Sequence, residues 1–336
     1  MKISVVVPTC QRAQMLHTAV RSIQNQSRPD LIAEIIVSEN SDAPESAAVC
    51  RECDTVTVKF CRQSPALRVV DHFLWLVRQA ESEWVAWLAD DDMWGRHHLA
   101  EAAYFLALHP DAVAFVSESV LVRNDSRTAT QGFRSTLHSF LEPHTSTYED
   151  HWVWGAEEMF VECMAQTPVN MWAMVVKKSV LLAAVEALVP SNVGYESDRI
   201  FLWRIATLGK IVVGREVTTF FRQHDDNASM RMWQQNQPEQ ERMTRFYIKQ
   251  IIAEATQLGI PVRAAWFKVW DQLTDAAKSH ILKAAGKASK QEIIEQWGAA
   301  ALATTAAAEE RPKRAGLLKC WVPPVIWALA GKLFKA

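Results

Sequence analysis

Residues 3–9, ISVVVPT, are apolar and largely β-branched with no polar alternation, so a strand built from them must be covered on both faces. The same kind of run recurs in AEIIVSENSD, TVTVKF and EWVAWLADDD. Between the first two lies AQMLHTAVRSIQNQS, with Met15, Leu16, Ala19, Val20 and Ile23 at helical spacing, and VVDHFLWLVRQAES precedes the last. Strand and helix in alternation predict a doubly wound α/β domain with a mainly parallel sheet flanked by helices. In that architecture ligands lie beyond the carboxyl ends of the strands. Three of those ends are polar here: PTCQR, SENSD and ADDDMW.

The last of these sets Asp90, Asp91 and Asp92 side by side. Three like charges at one strand end raise one another's pKa unless a cation shares them. Neither a G-x-G-x-x-G turn nor a phosphate-binding P-loop follows the first strand, and the chain has only 11 glycines. Phosphates would have to be held another way, and a hard cation on carboxylates is one. Without a metal, the triplet reads as a solvated acidic turn capping the next helix.

Further along, HLAEAAYFLALHP predicts a helix stopped by Pro110, and AVAFVSESVLV a strand. Residues 124–170 lack periodicity but are rich in aromatics and histidines, the pattern of a long specificity loop. KKSVLLAAVEAL and SDRIFLWRIATLG read as helices, the second ending at Gly209, and KIVVGREVTTFF as a strand or hairpin. Past residue 232 the pattern is helical and increasingly alanine-rich. The expected division is 1–230 for the α/β domain, 231–310 for a helical C-terminal region and 311–336 for a basic amphipathic tail. In that tail Arg311, Lys313, Arg314, Lys319, Lys332 and Lys335 flank Trp321, Trp327 and Phe334, which suits a membrane interface; docking on the protein body is the alternative.

A net charge of -2 gives no basic field for nucleic acid. The lone C-x-x-C of Cys50 and Cys53 has no second pair to complete a zinc site, so the cysteines read as reduced thiols. Among the 14 tryptophans, Trp94, Trp152, Trp154 and Trp172 are candidates for stacking on sugar faces, with core packing the plainer reading of each; His97 and His98 read as structural. The N-terminal apolar run is too short for a signal peptide, and no window approaches the about 18 apolar residues of a membrane span. The expected location is cytoplasmic, with peripheral contact at the inner face of the plasma membrane through the tail.

Taken in order, ISVVVPTCQR, EIIVSENSD, WVAWLADDDMW, ESDRIFLWRIATLGK and FFRQHDDNAS resemble the family 2 glycosyltransferases of GT-A fold over residues 1–230. That resemblance implies an inverting transfer of a sugar from a nucleotide diphosphate donor, a UDP-sugar by default, to a hydroxyl of a glycan or lipid-linked oligosaccharide during bacterial surface polysaccharide synthesis. It places Pro8, Thr9, Arg12 and Glu39 against the nucleotide, with Arg68 and Asp71 reaching the nucleoside. Asp90 would face the ribose, while Asp91, Asp92 and His224 would hold Mn²⁺ or Mg²⁺ and Arg222 the phosphates. Asp198 falls where the catalytic base sits, with Glu196 as rival. The chain departs from the pattern at Ser38, Ala89 and Ser197, each standing where relatives often carry an acid. Two other readings remain: a non-catalytic module that binds a sugar nucleotide or a partner, and a nucleotidyltransferase, which the glycine-poor first loop disfavours.

Overall fold

The computed structural model describes residues 1–52, 58–123, 129–133, 150–165, 170–186, 197–224, 227 and 237–260. Ten strands form one sheet: β1 (Ile3–Thr9), β2 (Ile32–Glu39), β3 (Val58–Arg62), β4 (Trp84–Trp87), β5 (Met93–Trp94), β6 (Ala112–Arg123), β7 (Ala129–Phe133), β8 (His151–Trp154), β9 (Met174–Lys177) and β10 (Lys210–Gln223). The helices are α1 (Ala13–Gln24), α2 (Glu45–Arg51), α3 (Val69–Gln79), α4 (His98–Leu108), α5 (Ala156–Ala165), α6 (Lys178–Glu186), α7 (Ser197–Leu208) and α8 (Gln237–Gln257).

The main path through the sheet runs β3-β2-β1-β4-β9-β6-β10-β5. Its first four strands are parallel, as the sequence pattern requires. The sheet as a whole is mixed. The four-residue strand β9, too short to show a period in the sequence, is inserted antiparallel between β4 and β6. Beyond it β6 and β10 are again parallel, and β5, β7 and β8 add antiparallel edges. Two antiparallel steps restore direction, so β1, β2, β4, β6 and β10 all point their carboxyl ends to one edge.

Both faces are covered, which explains the unbroken apolar runs. Ile3, Val5 and Val7 of β1 pack with Leu16, Ala19, Val20 and Ile23 of α1 on one face. Val6 meets Leu74, Leu76 and Val77 of α3 on the other. Burial of each such aliphatic side chain contributes ~1.5–3 kcal/mol. α8 belongs to this second face, with Tyr247, Ile248, Ile251, Ile252 and Ala255 buried in the same core as α3, α5, α6 and α7. It lies beyond the boundary expected at residue 230, yet it closes the core of the α/β domain. The further helices expected after residue 260 and the tail 311–336 lie outside the described residues, as does most of the segment 124–170. Where that segment is described it holds β7, β8 and α5.

α7 turns directly into β10 through Gly209. A Cβ there would meet the Val113 methyls at 2.3 and 2.9 Å, so only glycine lets the turn close against β6. Gly209→Ala is expected to destabilise the protein by about 1–3 kcal/mol, the usual range for overpacking a tight core. A thermal melt with Tm unchanged within a degree would show that Val113 yields instead.

Candidate active site

The site is assembled where the carboxyl ends of β1, β2, β4 and β10 meet. β1 ends at Thr9, whose hydroxyl donates to Asp90 Oδ2 at 2.7 Å, joined by the Cys10 backbone N–H at 3.4 Å. Gln11 then adopts φ 58, the left-handed region that costs a non-glycine residue ~1–2 kcal/mol. Its N–H is held by Glu39 Oε1 at 3.2 Å. The Ser41 hydroxyl donates to the same oxygen and the Ser46 hydroxyl to Oε2, both at 2.6 Å. Glu39 is thereby fully buried and engaged inside the protein, bracing the turn after β1.

That turn delivers Arg12 into the aspartate cluster. Arg12 Nη1 donates to Asp90 Oδ1 at 3.1 Å and to Asp91 Oδ2 at 2.7 Å. Burial opposes the guanidinium charge, but Asp90 and Asp91 outweigh it and hold the Arg12 pKa above its ordinary value. Asp90 is pushed up to about 6, first by burial and then by the Asp91 charge, with Arg12 and Thr9 pulling the other way. Asp92 is buried and lies well above the usual carboxylate range for the same two reasons.

β10 supplies the opposite wall. The Arg222 N–H donates to Asp92 Oδ1 at 2.9 Å, which fastens the end of β10 to the cluster. His224 Nε2 then lies 3.1 Å from Asp91 Oδ2, the oxygen that also receives Arg12. Asn227 secures this arrangement: its Oδ1 accepts the His224 N–H at 2.6 Å and its Nδ2 donates to the Arg222 carbonyl at 3.1 Å. Asn227 escaped the sequence reading, although asparagine in a polar loop is a common bridge of this kind.

Asp198 occupies the first turn of α7. Because α7 runs away from the carboxyl edge and β10 returns to it, Asp198 and His224 belong to the same edge. Phe201, one turn along, packs edge-on against Trp87 at a centroid distance of 5.9 Å, and Trp87 closes β4 just before the aspartates. Burial pushes the Asp198 carboxyl up to about 6. The rival Glu196 lies outside the described residues.

Not every expected residue joins the cluster. Arg68 forms a two-pronged exposed pair with Asp71 at 2.6 and 3.1 Å at the start of α3. Ser38, standing in place of a common acid, sits in a buried network with His72 Nε2 at 2.8 Å and Gln63 Nε2 at 2.9 Å. Burial brings His72 down to about 4, so a neutral imidazole and a hydroxyl satisfy each other there and a carboxylate is not needed. Trp94, Trp152 and Trp154 are core residues. Trp172 is half-buried against Trp87 and Phe73. His98 is wholly buried and bonded to the Thr218 hydroxyl at 2.9 Å, its pKa lowered by burial to about 3.

The donor set suits a hard divalent cation. Asp91 offers carboxylate oxygen beside the His224 imidazole, and Asp92 Oδ2 is buried without a hydrogen-bond partner. Among the described residues no three His, Cys, Asp or Glu side chains are already arranged around one metal position.

No curated protein sequence matches the chain. The family model described as Glycosyl transferase family 2 matches residues 4–164. Among solved structures, Staphylococcus aureus TarS 1–349 in complex with UDP-GlcNAc superposes with a TM-score of 0.56 at 15% identity, covering 91% of this chain and 88% of that one. TarS 1–349 alone gives 0.53 at 14% identity, with 94% and 93% covered. At that identity the likeness speaks for the fold, a mixed α/β sheet flanked by helices of the GT-A kind. The stretch that matches the family model includes the turn after β1 and the aspartate cluster.

Proposed function

We propose that the chain is an inverting glycosyltransferase that moves a sugar from a nucleotide diphosphate donor to an acceptor hydroxyl. The observation that carries this reading is the meeting of Arg12, Asp90, Asp91 and His224 at the edge where α7 presents Asp198. The donor base is taken as uracil, in keeping with the UDP-GlcNAc and UDP complexes of TarS. The acceptor is a hydroxyl on a glycan or lipid-linked oligosaccharide of a bacterial surface polysaccharide.

In this reading Asp198 accepts the proton of the acceptor hydroxyl as that oxygen bonds to the anomeric carbon. The bond from that carbon to the diphosphate oxygen breaks on the opposite face, so configuration inverts. With a pKa of about 6, Asp198 is ionised at neutral pH and still a stronger base than an ordinary aspartate. Asp91 and His224 would hold Mn²⁺ or Mg²⁺, with Asp92 behind them, and the ion would supply positive charge for the departing diphosphate. Arg222 and Arg12 would supply guanidinium groups to help neutralise phosphate.

Asp90, locked to Thr9 and Arg12, shapes the turn on which Pro8 and Thr9 meet the nucleoside. Glu39 supports that turn from inside, and Arg68 acts at its rim. Membrane association rests on the basic and aromatic residues of 311–336; among the described residues no helix is long and apolar enough to cross a membrane.

Calorimetric titration with UDP, GDP and dTDP, each with Mn²⁺, Mg²⁺ or EDTA, tests the proposal. One nucleotide is expected to bind in a metal-dependent manner. Failure of all three with either metal would favour a non-catalytic module.

A further inference from the structure

The aspartate cluster already contains a cation of its own. Arg12 Nη1 and His224 Nε2 converge on one oxygen, Asp91 Oδ2, at 2.7 and 3.1 Å. Arg12 also bridges to Asp90 at 3.1 Å, and its side chain is only 19% exposed. The placement is built from below. Gln11 takes a left-handed backbone, Glu39 fixes its N–H, and Ser41 and Ser46 fix Glu39. A helix-leading arginine free to point anywhere would need none of this.

A divalent ion arriving at Asp91 would share its ligand with a guanidinium at contact distance, and two cations on one oxygen repel. Among the described residues no three His, Cys, Asp or Glu side chains already surround one metal position. A nucleotide diphosphate changes both conditions. Its oxygens complete a metal shell, and they offer the planar fork of Arg12 a new set of acceptors.

We propose that Arg12 is a resident counter-ion that keeps divalent metal off Asp91 until a nucleotide diphosphate is present, so that metal and donor are taken up together. The proposal rests on the glycosyltransferase reading and adds a positioning role for one residue. Coupling of this kind is reciprocal: what Arg12 costs the metal alone, the diphosphate returns to both.

The test is Mn²⁺ binding to the full chain, followed by the electron paramagnetic resonance signal of free Mn²⁺, with and without UDP. Arg12→Met is expected to bind Mn²⁺ at least tenfold more tightly than the unaltered protein when UDP is absent. The enhancement of Mn²⁺ affinity by UDP should shrink accordingly. Arg12→Lys, which keeps the charge, should stay close to the unaltered protein. Arg12→Gln, which keeps a hydrogen-bond donor and loses the charge, should follow Arg12→Met and serves as the second variant if methionine impairs folding. If the unaltered protein and both neutral variants bind Mn²⁺ equally without UDP, while UDP still enhances binding, the counter-ion role is wrong and the donor reading stands. If no protein binds Mn²⁺ with or without UDP, both fail.

Discussion

Asp198→Asn is expected to lower kcat by about 10²–10⁴-fold while leaving donor binding intact, because the change removes the proposed general base and little else. Asparagine matches aspartate in size, and Asp198 lies on α7, a different element from the turn after β1. The unaltered protein should gain activity as pH rises through about 6, the value to which burial brings this carboxyl, since the proposed base would work only when ionised. Stability should move the other way. The folded pKa lies above the ordinary value of 3.8, so the native state holds the proton more tightly than the unfolded chain does. Stability is therefore lost as pH rises from about 4 to about 6, and asparagine removes that loss. The variant should melt above its parent at neutral pH, with the gap closing below about pH 4. A variant as active as its parent, on acceptor and donor both, would pass the role of base to Glu196.

Asp91→Asn should be the other severe lesion. Asp91 receives both Arg12 and His224, and neutralising it leaves two donors facing an amide. A loss of about 10²–10³-fold in kcat/KM is expected, the scale of removing one preorganised charge from a reacting diphosphate. Nucleotide affinity in EDTA should change little, whereas the additional affinity conferred by Mn²⁺ should vanish. Comparison of UDP titrations in EDTA and in Mn²⁺ separates these effects. A variant that keeps the Mn²⁺ increment would place the ion on other ligands.

The half of the fold that reads plainly in the sequence is the half with long, doubly covered strands. ISVVVPT and AEIIVSE show no regular polar alternation because helices pack on both sides of them, so pattern and burial largely coincide. β9 does not read at all: Met174–Lys177 is too short for any period, and its direction depends on partners distant in sequence. Together with the antiparallel edges β5, β7 and β8, that strand makes the sheet mixed rather than mainly parallel. In the site, the aspartates and His224 stand out as charged or titratable residues at strand ends. What they do to each other is not legible. That Arg12 reaches Asp91, or that Glu39 turns inward to hold Gln11, depends on a left-handed residue that the sequence marks with no glycine. Trp152 and Trp154 are core residues, the plainer of the two readings their sequence allowed.

The direct passage from α7 into β10 has a consequence for how such a chain can diverge. One uninterrupted piece of secondary structure, folded once at Gly209, carries the proposed base at its start and the proposed metal ligand just past its end. The separation of these two groups is set by how closely a helix lies on a sheet, a length that core packing defends. Insertions elsewhere can remodel the acceptor surface while this ruler keeps its length. Altered acceptor choice is then cheap to reach by mutation, and altered reaction geometry is not.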